Sequence, residues 1–442
     1  VDPSPHFLSL PADTAPELLL KDFRARLRRT AWGHETPDTL LVPAWSEASS
    51  LERFESALRA LFRAHLKALD AARTGRCPGE YEHLGRIVDD HYLDWPALPA
   101  EAPPSRDVSR HLFGRPDVIL APDGPKVVET NFDTAAAGHE RPDDMWTIAA
   151  DLFRVPDDLL RTGRPMEGLR RHFLDLSEGE PCDIHWIMKD DEATRRELAP
   201  SIDFLNRGHR QVRHTVHYAG DPPPAPPAGR AAYLHRSCSI FTVNRDRERF
   251  AALLSRLAPA TRGCTVPVSL SPLSSKLFLA WLSDPGARPA TLTDEEGAAV
   301  DALVPWTRVL TLLDPEELLL VRRDRGDFVL KKADSHQAKD VHFGCNLSAG
   351  EWCALLEAGR SGPAARASGP DIWIVQERVR PREYTLTEIT DAGVVERRTG
   401  LSCCPYLMGG RLRGLETWVM PFTPDMGMIE RMHFLAHFVR TP

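Results

Sequence analysis

Arg115, Asp117, Glu129 and Asn131 are the residues whose types and spacing most clearly suggest chemistry. Asp117-Val-Ile-Leu and Lys126-Val-Val-Glu-Thr-Asn read as two short strands. Ala-Pro-Asp-Gly-Pro at 121–125 reads as the turn between them, so the stretch is a β-hairpin. Folding it about Asp123-Gly124 sets Asp117 opposite or nearly opposite Glu129. Glu129 and Asn131 are two apart and share a face of their strand. Two carboxylates and an amide oxygen then converge, a hard-oxygen set of the kind magnesium prefers, leaving places for waters and substrate phosphates. Arg115 lies on the face of Asp117 and can reach an anion held there. For any one carboxylate a solvated hairpin face is the commoner case. Here Val-Val precedes Glu129 and Phe132 follows Asn131, so the strand is at least half buried, and clustered buried acids are costly without a cation.

Two further signals concern a nucleotide. Phe328-Val-Leu-Lys331-Lys332 ends an apolar strand in positive charge, and Lys276 opens a helix after Pro272-Leu-Ser-Ser. Lysines from separate elements commonly grip one phosphate group, although a single lysine at a strand end more often only snorkels. Ile372-Trp-Ile-Val-Gln376-Glu377-Arg-Val is a hydrophobic strand with a polar end. Its backbone could pair with adenine and its carboxylate with ribose hydroxyls, but any buried strand leading to a polar edge has this pattern.

The elements that must position these residues span 442 residues, enough for two or three lobes. Apolar content of 42% and charged content of 27% are ordinary for a globular chain. The net charge of -8 leaves no broad basic field for nucleic acid or an acidic membrane, though a local basic cleft is compatible with it. No apolar run approaches a membrane span, and the first residues do not read as a signal peptide. The 8 cysteines include no Cys-x-x-Cys pair, which points to free thiols and a cytoplasmic, reducing compartment. Residues 14–76 read mostly as helix, with Leu51, Phe54, Leu58, Leu61, Phe62, Leu66 and Leu69 at three- and four-residue steps and Ser49 or Ser50 as the cap. Residues 94–104 read as extended and Pro-rich. Strands at 183–188, 211–217 and 231–235 alternate with helices at 192–206 and 247–257, which predicts a parallel sheet, with Gly208 as a helix C-cap. Pro-rich 221–229 and Gly/Pro-rich 362–370 read as loops.

In order and spacing these signals resemble the circularly permuted ATP-grasp ligases of the glutathionylspermidine-synthetase-like group. The resemblance lies in Arg115-Pro-Asp117, the hairpin, Glu129-Thr-Asn131 and the Phe-Asp-Thr-Ala-Ala-Ala-Gly that follows. It continues through Ser-Pro-Leu-Ser-Ser-Lys276, Phe-Val-Leu-Lys331, Gly350-Glu-Trp352 and Val375-Gln-Glu377, and covers roughly residues 110–400. It implies an ATP-grasp fold of α+β or α/β class: residues 1–175 as a helical segment with the metal-binding hairpin, 176–265 as a pre-ATP-grasp βαβ lobe, and 266–442 as the nucleotide-binding lobes. It implies an ATP- and magnesium-dependent ligase joining a small carboxylate to an amine through an acylphosphate, glutamate's side chain being the donor by analogy. Asp117, Glu129 and Asn131 would hold magnesium. Arg115 would stabilise the transferring phosphoryl group. Lys276, Lys331 and Lys339 would meet phosphates, and Gln376 and Glu377 the nucleoside. The loop 333–344 departs from the family pattern in keeping only Gly344, so either Ser335, His336 and Lys339 supply side-chain contacts or the loop has another task. That departure motivates one alternative, a non-catalytic ATP-binding homologue; a second alternative is a phosphotransferase that stops at a phosphorylated product. No amidase-like segment is read, so a bifunctional synthetase–amidase is not expected.

His185, His209, His214, His217, His235, His433 and His437 show no metal-ligand spacing. The Cys403-Cys404 pair reads as buried packing. Arg397, Arg398, Arg411 and Arg413 surround a Gly-Gly turn and read equally as a carboxylate-binding group or a solvated loop.

Overall fold

The computed structural model of the chain describes residues 3, 5–30, 38–77, 81, 112–133, 140–159, 164–207, 211–221, 230–257, 261–335, 340–361, 372–421 and 433–440. Among these residues it is a mixed α/β protein with several sheets. The Pro-rich stretches 94–104 and 222–229, Gly208 and the loop 362–370 lie outside them.

The expected parallel sheet is present. Its strands run in the order Val212–Tyr218, Cys182–Met188, Ala231–Arg236, Gly263–Thr265, all parallel. Cys182–Met188 is buried at every position, as befits a central strand covered on both faces. The crossover helices are Glu192–Asn206 and Arg247–Leu257. Asp191 caps the first by accepting the Thr194 N–H at 2.8 Å.

Residues 14–76 are not one helical stretch. Helices Pro16–Leu27 and Ala48–Arg73 are separated by the strands Leu40–Leu41 and Ala44–Glu47. The second helix starts at Ala48 from Glu47, without a side-chain cap, so Ser49 and Ser50 sit inside its first turn. Its buried stripe of Leu51, Phe54, Leu58, Leu61 and Leu69 joins a core with Leu277, Phe278 and Trp281 of the helix Lys276–Ser283. A four-stranded antiparallel sheet, ordered Thr307–Val309, Trp373–Glu377, Phe328–Lys332, Val341–Phe343, packs against helices Pro315–Arg323 and Ala349–Ser361 through Val321, Trp352, Leu356 and Val375.

The largest sheet is built on the 16-residue strand Gly393–Met408. Arg411–Pro421 pairs along one of its edges. On the other edge Tyr384–Thr390 pairs with the first half and Phe113–Ala121 with the second. The hairpin thus continues this sheet where another strand leaves off. Gly409 and Gly410, with φ of 60° and 72°, make the tight turn before Arg411, a conformation that suits glycine.

Candidate active site

The hairpin strands are Phe113–Ala121 and Gly124–Asn131. Asp117 pairs with Glu129 and Arg115 with Asn131. Strict alternation would send Glu129 to the buried side with Val127. The register instead slips between Asp117 and Val118, whose partners are Glu129 and Val127, so Val128 is an extra residue in its strand. This bulge puts Glu129 and Asn131 on the half-open side with Arg115 and Asp117, while Val118, Val127 and Thr130 stay buried. The opposite side is held by the helix Ala48–Arg73. The Phe62 and Phe132 rings lie 4.7 Å apart, and a Cβ on Gly114 would come within 2.5 Å of the Phe62 ring, so only glycine allows this approach.

On the half-open side the groups converge. Asn131 Nδ2 donates to Asp117 Oδ1 at 3.3 Å and to the Arg115 carbonyl at 3.1 Å. Lys276 Nζ lies 2.9 Å from Glu129 Oε1 and donates to the Ser335 carbonyl at 2.9 Å. Arg115 Nε is 3.9 Å from Asp117 Oδ1. About a third of the Asp117 side chain (33%) is exposed to solvent. Dense protein around the rest still raises its carboxyl above the usual range; Glu129 pushes the same way and Arg115 opposes it.

Lys331 reaches the hairpin from the antiparallel sheet. Its Nζ donates to the Val128 carbonyl at 3.2 Å, at the bulge, and to Gln376 Oε1 at 2.7 Å. Burial lowers the ammonium to about 8, the positive charge of Lys276 adding to the effect while Glu129 and Asp117 counter it. Gln376 is buried and donates Nε2 to Thr307 Oγ1 at 3.1 Å. Glu377 is exposed at the strand end. Its N–H donates to the Trp306 carbonyl at 2.8 Å and the Arg378 N–H to the Asp327 carbonyl at 2.7 Å, so the amides expected to meet a base are already bonded within the protein. Lys339 and His336 lie outside the described residues.

Whether magnesium fits is decided by the donor set. Among the described residues no group of three or more His, Cys, Asp or Glu side chains could hold a metal ion. Asp117, Glu129 and Asn131 supply two carboxylates and one amide, and an ammonium already answers one carboxylate. Such a set suits a hard cation shared with an anionic ligand, not a closed structural site.

Sequence reading missed the floor of this site. Continuing the register Cys403–Val118 sets Cys404 opposite Asp117 and Tyr406 opposite Arg115. Glu416, paired with Cys404 across the next strand, lies 3.3 Å from Arg115 Nη1 and accepts the Tyr406 hydroxyl at 3.0 Å. The available signal was the one charged residue in the run 414–421. Cys403 and Cys404 are buried, and burial raises both thiols, Cys403 to about 12. The four arginines do not gather around the Gly409-Gly410 turn: Arg397 and Arg398 lie in the first half of the long strand and pair with Glu388 at 2.7 Å and with Glu383, while Arg411 and Arg413 follow the turn and pair with Glu55 at 3.8 Å and with Asp175.

No family model and no curated protein sequence matches the chain. A solved structure of a glutathione synthetase-like effector from Globodera pallida, in its ligand-free form, is similar over 98% of this chain and 100% of that one, at 11% identity and a TM-score of 0.57. This likeness is one of fold. A Methylobacillus flagellatus protein provisionally named a gamma-glutamylcysteine synthetase aligns over 89% of this chain and 87% of its own, at 13% identity and a TM-score of 0.39.

Proposed function

We propose that this chain is an ATP-dependent carboxylate–amine ligase with a circularly permuted ATP-grasp arrangement. The observation that carries the reading is the convergence of Asp117, Glu129, Asn131 and Arg115 on one sheet face, with Lys276 and Lys331 reaching it from two other elements. Two carboxylates beside two buried lysines and an arginine suit a polyphosphate that carries its own cation. The likeness of fold to a glutathione synthetase-like protein supports the same class.

A carboxylate oxygen of the acyl donor attacks the terminal phosphorus of ATP, and the bond to the bridging oxygen breaks, releasing ADP. The amine nitrogen of the second substrate then attacks the acylphosphate carbon, loses a proton and expels phosphate. Asp117, Glu129 and Asn131 would hold magnesium, which supplies charge neutralisation of the phosphates. Lys276 and Lys331 neutralise phosphate oxygens from the far side. Arg115 faces the charge that builds on the transferring group and on the tetrahedral centre. Glu377, exposed at its strand end, would take ribose hydroxyls. The acyl donor is a small amino-acid-like molecule, with glutamate first among candidates, and the setting is the cytoplasm.

The test is incubation with ATP, magnesium and pools of amino acids, reading nucleotide products and new masses. ADP, phosphate and a product lighter by one water than its two substrates support the reading and identify both partners. AMP and pyrophosphate would point to adenylation and overturn it. A phosphorylated product formed without an amine would favour a phosphotransferase.

A further inference from the structure

Arg115 is held on more than one side. Glu416 Oε2 lies 3.3 Å from Nη1, Asp117 Oδ1 lies 3.9 Å from Nε, and the Tyr406 ring lies beneath the guanidinium with its centroid 5.9 Å away. Glu416 is enclosed, its side chain 4% exposed, and Tyr406 is fully buried. It receives the Tyr406 hydroxyl on the same oxygen that faces Arg115. A buried carboxylate beside a site that gathers phosphate charge works against anion binding unless it serves a neighbour. The neighbour here is the one guanidinium of the cluster.

We infer that Glu416 is a positioning residue that, with Tyr406, fixes the Arg115 guanidinium beside the Asp117–Glu129 face. The inference rests on the ligase reading and assigns a function to a residue outside the hairpin. An arginine side chain has many rotamers, and an unanchored one on a half-open strand would sample most of them. Glu416 engages Nη1 and so fixes one edge of the planar fork. Tyr406 fixes the carboxylate in turn, because its hydroxyl donates to Oε2 while its ring supports the guanidinium from below. All three side chains lie on adjacent strands of one sheet, Phe113–Ala121, Gly393–Met408 and Arg411–Pro421, so the relay depends on strand register and not on a loop. An arginine set this way is already oriented when charge develops, and loss of its anchor should slow the chemical step more than it weakens ATP binding.

The test uses Glu416→Gln, Glu416→Asp and Tyr406→Phe in the full chain. With the substrate pair found for the wild type, Glu416→Gln is expected to lower kcat about 10²-fold while KM for ATP changes less than about threefold. Glu416→Asp, which keeps the charge, should recover part of the loss, and Tyr406→Phe should lose less than Glu416→Gln. Independently of turnover, the Arg115 Nε–H proton, assigned by difference with Arg115→Lys, should give a sharp NMR signal in the wild type that broadens in Glu416→Gln. Equal kcat in Glu416→Gln with an unchanged Arg115 signal would overturn the inference. Loss confined to the amine-dependent step, with acylphosphate formation intact, would instead make Glu416 a base for the amine and also overturn it. A wild type without ATP turnover would sink the ligase reading, while the NMR arm would still report whether Glu416 holds Arg115.

Discussion

Lys276 and Glu129 are ion-paired, Nζ to Oε1 at 2.9 Å, with the lysine side chain 2% exposed and the glutamate 26%. The lysine therefore depends on a residue from another element for most of its compensation. Its backbone is also tied down, the Lys276 N–H donating to the Ala333 carbonyl at 3.1 Å.

Glu129→Gln is accordingly expected to do two things. It removes a carboxylate from the proposed cation-binding set and should abolish turnover. It also leaves the Lys276 ammonium with a neutral neighbour, which should cost about 1–3 kcal/mol of stability, below the full price of a buried pair because Glu129 is partly solvated. Asn131→Ala removes only two hydrogen bonds and should cost about 1 kcal/mol with the same loss of activity. Urea denaturation beside a turnover assay separates the effects. Full turnover of either variant at saturating magnesium would remove these residues from the site.

Lys331 gives a pH dependence whose sign can be worked out. Its folded value, about 8, lies below the ordinary lysine value. Between about pH 8 and the unfolded value the unfolded chain holds more protons, so stability rises with pH in that window. Bound polyphosphate favours the charged lysine, so ATP binding should take up a proton above about pH 8 and weaken as pH climbs further. Calorimetry at pH 8.5 in two buffers of different ionisation enthalpy reads this uptake directly. Lys331→Met should abolish it, and equal apparent enthalpies in the two buffers for the wild type would contradict the assignment.

The hairpin was legible because its information is local: a Pro-Asp-Gly-Pro turn, two short apolar strands and acids at fixed offsets. The parallel sheet was legible for the same reason, with helices Glu192–Asn206 and Arg247–Leu257 read to their ends. The bulge at Val128 left no mark in composition, since it exists only in the pairing with Asp117 and Val118. Glu416 and Tyr406 were invisible as site residues because they reach Arg115 through strands some 300 positions away in sequence. The bond from the Glu377 amide to the Trp306 carbonyl was not legible, because that carbonyl precedes a strand too short to leave a pattern.

Acid should destabilise the fold through buried histidines behind this site, His65 against Phe132 and His437 against Thr417. His65 is fully enclosed, its Nδ1 bonded to the Leu61 carbonyl at 2.9 Å. His437 bridges Ser46 at 2.8 Å and Thr417 at 2.9 Å. Burial lowers each to about 4. The unfolded chain then binds more protons between about pH 6.5 and 4, so stability is lost as pH falls through that window, on the order of 3 kcal/mol per histidine. Urea midpoints at pH 7, 6 and 5 measure it, and His437→Gln should flatten the slope. Identical midpoints at pH 7 and 5 would show that neither ring is held neutral.

On the ligase reading, Arg115→Ala should depress kcat about 10²- to 10³-fold while changing the ATP dissociation constant little, because the guanidinium would then face charge that exists mainly in the transition state. The same change leaves Glu416 without its cation, so thermal melting must accompany the kinetics. Arg115→Lys keeps the charge and loses the fork, and should recover folding better than rate. A variant that bound ATP poorly and turned over at the normal rate would place Arg115 in ground-state binding instead.

Two ion pairs of equal length should respond differently to the same substitution. Arg236 and Asp133 lie 2.7 Å apart with side chains 3% and 2% exposed, and Arg24 and Asp391 lie 2.7 Å apart with side chains 22% and 76% exposed. Asp133 also accepts from the Ser271 hydroxyl at 2.5 Å and from the Ile240 N–H at 2.6 Å, joining the end of the hairpin to the parallel lobe and to the segment before Lys276. Asp133→Asn removes the charge that balances a guanidinium with no route to water, and should cost about 3–5 kcal/mol. Asp391→Asn lets both partners turn to solvent and should leave the melting temperature unchanged. Because the hairpin end is one of the joined elements, Asp133→Asn should also weaken ATP binding at temperatures where the variant is still folded. Equal melting temperatures for the two variants would mean that burial does not set the strength of the Asp133 pair, and normal ATP affinity in folded Asp133→Asn would mean that the pair holds the lobes without aligning the site.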